Sequence, residues 1–166
     1  AGFELNGHRE GSLKMIKIDK NEFYRNKKDE KFYIYKDYQY PGNHFIPSGW
    51  VGDYKDLKLN ADYQNDCFEG SCLSISYLPK SSQQWAGIYW QYPLNNWFSD
   101  KGGYDLSHYR YLKFWAKGAK GGEELAEVGV GGLKPNSTDI KWEPIKLEPQ
   151  WKLYAFFLDN ANLSQI

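Results

Sequence analysis

The feature that most constrains this chain is a series of short runs in which apolar and polar residues alternate, each broken off by Gly, Pro, Asn or Asp. Alternation with period two places successive side chains on opposite faces of an extended strand, and no helical periodicity competes with it. Seven runs read as strands: KFYIYKD (31–37), CLSISYL (72–78), WAGIYWQY (85–92), RYLKFWAK (110–117), LAEVGVGG (125–132), DIKWEPIKL (139–147) and WKLYAFFLD (151–159). Many short strands with two apolar sheet faces to hide point to an all-β fold, a β-sandwich. The 166 residues suffice for one such domain and are few for two.

Alternation also assigns faces. Leu73, Ile75 and Tyr77 share a side opposite Ser74 and Ser76, and Leu112, Phe114 and Ala116 oppose Tyr111, Lys113 and Trp115. The first set of each run is expected in the core, and Lys113 marks the other face of its run as the wetter one. Residues 1–30 read as an extension, with a weak edge strand at 13–18 followed by a strongly charged, solvated loop.

Lys+Arg and Asp+Glu are matched at 21 each. The zero net charge gives no electrostatic footprint for nucleic acid or an anionic membrane. No apolar run approaches the ~20 residues needed to span a bilayer. The missing initiator Met fits a processed product with its signal peptide removed, or a piece of a longer chain. The cysteines, Cys67 and Cys72, flank FEGS. Two cysteines fall short of the four ligands of a structural zinc site, so a short disulfide is the better reading over free thiols, and it implies an oxidising compartment.

The sequence offers little for catalysis. His8, His44 and His108 are scattered, no zinc-protease, nucleophile-elbow or phosphate-loop pattern surrounds them, and the glycine-rich GAKGGEE (118–124) reads as a turn. A non-catalytic protein is the expectation. Asp53 and Asp56 could serve a hard cation such as Ca²⁺, although turn formation is the plainer role for them.

The densest aromatic stretch is WAGIYWQYPLNNW (85–97). Ala86, Ile88, Trp90 and Tyr92 form a continuously apolar face, expected in the core, which leaves Trp85, Tyr89 and Gln91 on the other. Trp97 follows in a loop, with Asn96 beside it, and Trp50 in IPSGWVGD is a further candidate for display. A flat ring beside amide donors suits a sugar, whose C–H face stacks on it while its hydroxyls find polar partners. Each stacked ring would contribute about 2 kcal/mol. Any single tryptophan of such a fold is, equally, a core residue.

NHFIPSGWVGD (43–53), the cysteine-flanked strand, the 85–97 stretch and GGYDLSHYRYLKFWAKGAKGGE (102–123), in this order, resemble an extracytoplasmic jelly-roll domain similar to the galactose-binding-like carbohydrate-binding modules attached to glycoside hydrolases. The resemblance covers about residues 31–166. It implies a Cys67–Cys72 disulfide, a structural Ca²⁺ held by Asp37, Asp53 and Asp56, and one or two further strands after WKLYAFFLDNANLSQI. A strand-donating partner would fill such an open edge. Two functions are therefore expected to compete: an extracellular carbohydrate-binding module using Trp50, Trp85, Tyr89, Gln91, Asn96 and Trp97, or a structural subunit of a filament, surface layer or envelope complex whose aromatics bury against other protein subunits.

Overall fold

The computed structural model describes residues 2–6, 14–24, 31–97, 102–132, 137–158 and 160–166. They form twelve strands: β1 (Gly2–Asn6), β2 (Lys14–Tyr24), β3 (Lys31–Tyr35), β4 (Ile46–Gly52), β5 (Leu57–Tyr63), β6 (Cys72–Tyr77), β7 (Trp85–Gln91), β8 (Tyr111–Gly118), β9 (Glu124–Val130), β10 (Ile140–Trp142), β11 (Ile145–Lys146) and β12 (Lys152–Phe157). A 3-10 turn at Tyr54–Asp56 is the one helical element among the described residues. The fold is all-β, and every strand pairing is antiparallel.

Two six-stranded sheets result. The first runs β4-β7-β1-β9-β10, with β11 also on β9; the second runs β5-β6-β2-β8-β12, with β3 also on β2. Compared rank by rank, chain neighbours occupy the same place in opposite sheets in four ranks, β4 and β5, β7 and β6, β1 and β2, β9 and β8, and the last rank holds β10 and β12. The crossings gather at one pole, because the registers set Gly52 beside Ala86, Asn6 beside Trp85, and Glu124 beside Lys146. The opposite pole carries segments 36–45, 92–97, 102–110, 131–132 and 137–139.

A single buried cluster joins the sheets. Ala86, Ile88 and Trp90 of β7 and Leu125, Val128 and Val130 of β9 meet Ile16 and Ile18 of β2, Leu73, Ile75 and Tyr77 of β6, and Leu112, Phe114 and Ala116 of β8. Each buried Val, Leu, Ile or Phe side chain among them contributes roughly 1.5–3 kcal/mol. The inner faces of β6 and β8 therefore follow the sequence alternation. At the far pole Ile166 is buried, and it exchanges main-chain hydrogen bonds with Tyr104 at 2.7 and 3.0 Å.

The N-terminal reading is corrected. The edge strand expected near residues 13–18 belongs to β2, an eleven-residue strand with β8 on one flank and β6 and β3 on the other. With β1 at the middle of the first sheet as well, a boundary at residue 30 separates no two units of the described fold; residues 25–30 of the expected loop lie outside the described residues. The misleading signal was charge. Lys17 and Asp19 point away from the core yet are buried, because segment 64–71 folds over them: Lys17 Nζ reaches Asp66 Oδ2 at 3.0 Å, and the Glu69 N–H donates to Asp19 Oδ2 at 3.1 Å. Tyr92, expected in the core, is 41% exposed beyond the end of β7.

Candidate binding groove

The outer face of the first sheet carries a rung rich in glycine. Across its five ranks one ladder of Cα partners reads Gly49, Tyr89, Gly2, Gly129 and Lys141. Three glycines share this rung with Tyr89 and Lys141, and Gly129, Tyr89 and Lys141 line a groove beside it. At Gly129 an added Cβ would press on the Ile140 carbonyl oxygen at 3.3 Å, with Glu127 Oε1 at 3.8 Å and Lys141 Cγ at 4.0 Å beside it. Gly49 is tighter, since a Cβ there would stand 2.8 Å from Tyr89 Cβ.

The groove lies toward the far pole and has a volume of about 320 Å³. Tyr89, Gln91, Asn96 and Trp97 line one side, and Glu127, Asp139 and Lys141 supply charge on the other. Lys141 Nζ is bound to Glu127 Oε2 at 3.0 Å. Trp97 is 44% exposed, and its ring meets that of Tyr89 edge to face. A flat ligand can thus lie on one ring and abut the other, with polar groups within reach across the groove.

Four of the six expected ligand residues converge here, but two of them have their hydrogen-bonding groups engaged within the protein. Gln91 is buried; its Oε1 accepts from Ser48 Oγ at 2.8 Å and its Nε2 donates to the Asn96 carbonyl at 2.9 Å. Asn96 Nδ2 donates to the Tyr92 carbonyl at 3.2 Å. Trp85 and Trp50 do not line the groove. Trp85 begins β7 at the crossing pole, half-buried against Gly52, whose added Cβ would lie 2.8 Å from Trp85 Cε3. Trp50 pairs with Ile88 and turns inward with it to lie against the core. Glu127, Gly129, Asp139 and Lys141 were not anticipated, because only the pairing of β9 with β1 and β10 sets them beside Tyr89.

The three aspartates do not fit a single Ca²⁺ site. Asp37 accepts from the Ser71 N–H at 2.9 Å, just before β6, whereas the Asp56 carbonyl accepts from the Leu78 N–H at 3.1 Å, just after it. Six residues of strand put those points about 20 Å apart. Each carboxylate instead ties down a loop. Asp37 Oδ1 also takes the Gln39 N–H, Asp53 Oδ2 takes that of Gln84, and Asp56 Oδ2 takes those of Lys80 and Ser81. These N–H donors hold the carboxyls of Asp37 and Asp56 below their ordinary range. Among the described residues no group of three or more His, Cys, Asp or Glu gathers to hold a metal.

Cys67 and Cys72 form a disulfide. It closes segment 64–71 on the outer face of the second sheet, where Phe68 stacks on Trp115 with centroids 4.1 Å apart at 14°. Trp115, read as part of a wet face, is covered. No helix among the described residues is long and apolar enough to cross a membrane. Comparison of the chain with protein-family models, curated proteins and solved structures returns no match.

Proposed function

We propose that this chain is a non-catalytic, extracytoplasmic carbohydrate-binding module, a jelly-roll β-sandwich of galactose-binding-like type that holds a sugar in the Tyr89–Trp97 groove. The observation that carries the reading is the pairing of a half-exposed tryptophan, Trp97, with a groove whose opposite wall carries Glu127, Asp139 and Lys141. Equal ranking of chain neighbours in the two sheets supports the jelly roll, in which a folded ribbon of strand pairs wraps into two layers. The disulfide supports an oxidising compartment. Affinity electrophoresis against a panel of soluble polysaccharides tests the function: at least one should retard the wild type and leave Trp97→Ala unretarded. Equal mobility of both proteins on every glycan overturns it.

A second reading, a structural subunit assembled through sheet edges, is favoured by β12. This strand ends its sheet, and it exposes Leu153 (43%) and Phe157 (50%) on one face. Antiparallel pairing with a second copy about Ala155 would set Leu153 against the partner's Phe157 in both directions, a self-complementary register. Concentration-dependent sedimentation that Phe157→Lys abolishes would support it; a monomer at all concentrations would exclude it.

A further inference from the structure

The approach of β4 to β7 contains one irregularity. Pro47 pairs with Trp90 and Gly49 with Tyr89, so Ser48 is an extra residue on β4, a β-bulge. Bulges re-aim side chains. Here the bulge turns the Ser48 hydroxyl toward Gln91, where it donates to Oε1 at 2.8 Å and accepts the Asn95 N–H at 3.1 Å. Gln91 Nε2 completes the set by donating to the Asn96 carbonyl at 2.9 Å. That carbonyl can only accept, which fixes the orientation of the amide and directs its oxygen to Ser48.

Both side chains are buried, with Ser48 8% and Gln91 9% exposed. Their partners on the loop are the main-chain groups of the two residues directly before Trp97. The loop supplies a turn of its own, since the Asn96 N–H donates to the Pro93 carbonyl at 3.2 Å and Asn95 takes a φ of +58°, a left-handed conformation that asparagine tolerates. Gly49 makes room for the arrangement, because a Cβ there would press on Gln91 Cδ at 3.0 Å as well as on Tyr89.

We infer that Ser48 and Gln91 are positioning residues for Trp97: a bulge on β4 and an amide on β7 hold the loop so that the indole stands beside Tyr89 before any ligand arrives. Neither residue needs to touch the ligand. The inference rests on the proposed function only for its effect on binding, and the position of the ring can be read without a ligand. Preorganisation of this kind lowers the ordering cost of association.

The experiment uses protein labelled with 5-fluorotryptophan, whose seven tryptophans give separate fluorine resonances; Trp97→Phe identifies the one of interest. Ser48→Ala and Gln91→Met should shift or broaden the Trp97 resonance and leave those of Trp115, Trp142 and Trp151 in place, and Ser48→Thr, which keeps the hydroxyl, should restore it. On a polysaccharide that retards the wild type, both disruptive variants should bind about five- to tenfold more weakly, the equivalent of one lost hydrogen bond. An unmoved Trp97 resonance in both variants overturns the inference. So does displacement of all seven resonances in both, since the pair would then hold the fold and not the loop. A selective Trp97 shift in a protein that binds no glycan upholds the positioning role and sinks the proposed sugar function instead.

Discussion

Tyr89 and Trp97 stand edge to face at the mouth of the groove, with ring centroids 6.1 Å apart and planes at 62°. Such a pair forms a corner, so it can stack one sugar ring and steer its neighbour, whereas two coplanar rings would make a platform. The arrangement distinguishes three tryptophans that composition treats alike. Trp97→Ala should abolish glycan retardation with a melting temperature near that of the wild type, and Trp85→Ala should leave retardation intact. Trp50→Ala should instead cost about 3 kcal/mol, a loss of roughly 10 °C in a domain of this size. Differential scanning calorimetry alongside affinity electrophoresis separates the outcomes; retardation lost in Trp85→Ala would move the site to the crossing pole.

Two glycines of the Tyr89 rung, Gly129 and Gly49, should respond in different ways. Gly129→Leu adds a Cβ 3.3 Å from the Ile140 carbonyl oxygen, a small strain, and sends the rest of its side chain into the groove beside Glu127 and Lys141, so it should block ligand at little cost in stability. Gly49→Ala forces a Cβ to within 2.8 Å of Tyr89 and should cost about 1–3 kcal/mol through overpacking. Urea titrations combined with binding measurements check both, and unimpaired binding by Gly129→Leu would show that the ligand lies elsewhere.

Asp19 gives the fold a pH dependence of unusual sign. Burial pushes its pKa from 3.8 to about 6, against the smaller pull of the Glu69 and Lys20 main-chain N–H groups. In the unfolded chain the carboxyl ionises near its ordinary value, so between about pH 4 and 6 the folded state holds the extra proton. The contribution of protonated Asp19 is present at low pH and is lost as pH rises through about 6, by about 3 kcal/mol in total. Asp19→Asn should therefore be more stable than the wild type at pH 7.5, with the gap closing toward pH 4. A less stable Asp19→Asn at pH 7.5 would mean that the ionised carboxylate is favourable where it sits.

Reduction of Cys67–Cys72 should have a small effect. A loop this short is worth about 2 kcal/mol in chain entropy. Segment 64–71 has other anchors as well: Asp66 joins Lys17 and Lys117, Glu69 joins Asp19 and Lys20, and Phe68 lies on Trp115. The Cys67→Ser/Cys72→Ser double variant should melt a few degrees lower with a cooperative transition; global unfolding at 25 °C would show that the loop depends on its crosslink.

Strands whose inner and outer faces differ in polarity were legible. Ile75 and Phe114 were placed by alternation alone, as was Trp90. Reading failed where a face seen as solvent was covered by a distant segment, as with Lys17 and Asp19 beneath segment 64–71, or where a strand lacked alternation, as in IPSGWVG. Of the site, Tyr89 and Trp97 could be found because rings outside a core-facing pattern stand out. Gly129 and Lys141 could not, because β9 and its chain neighbour β10 reach the groove only through the pairing of β9 with β1, at the other end of the chain. Gln91 was correctly placed on the outward face, yet its amide is consumed by Ser48, a partner that only the bulge brings within reach.

The middle position of β1 and β2 has a cost in time. Residues 2–6 find their partners in 85–91 and 124–130, and β2 finds one flank in 111–118. Contacts so distant along the chain place the protein among slow folders, with refolding expected in milliseconds to seconds. At 5–20 residues per second, a ribosome needs on the order of ten seconds to supply β9 after β1 emerges. The two mid-sheet strands are therefore the ones that wait longest for their partners while the chain is being made, and a holdase that masks extended apolar segments should raise the yield of folded chain.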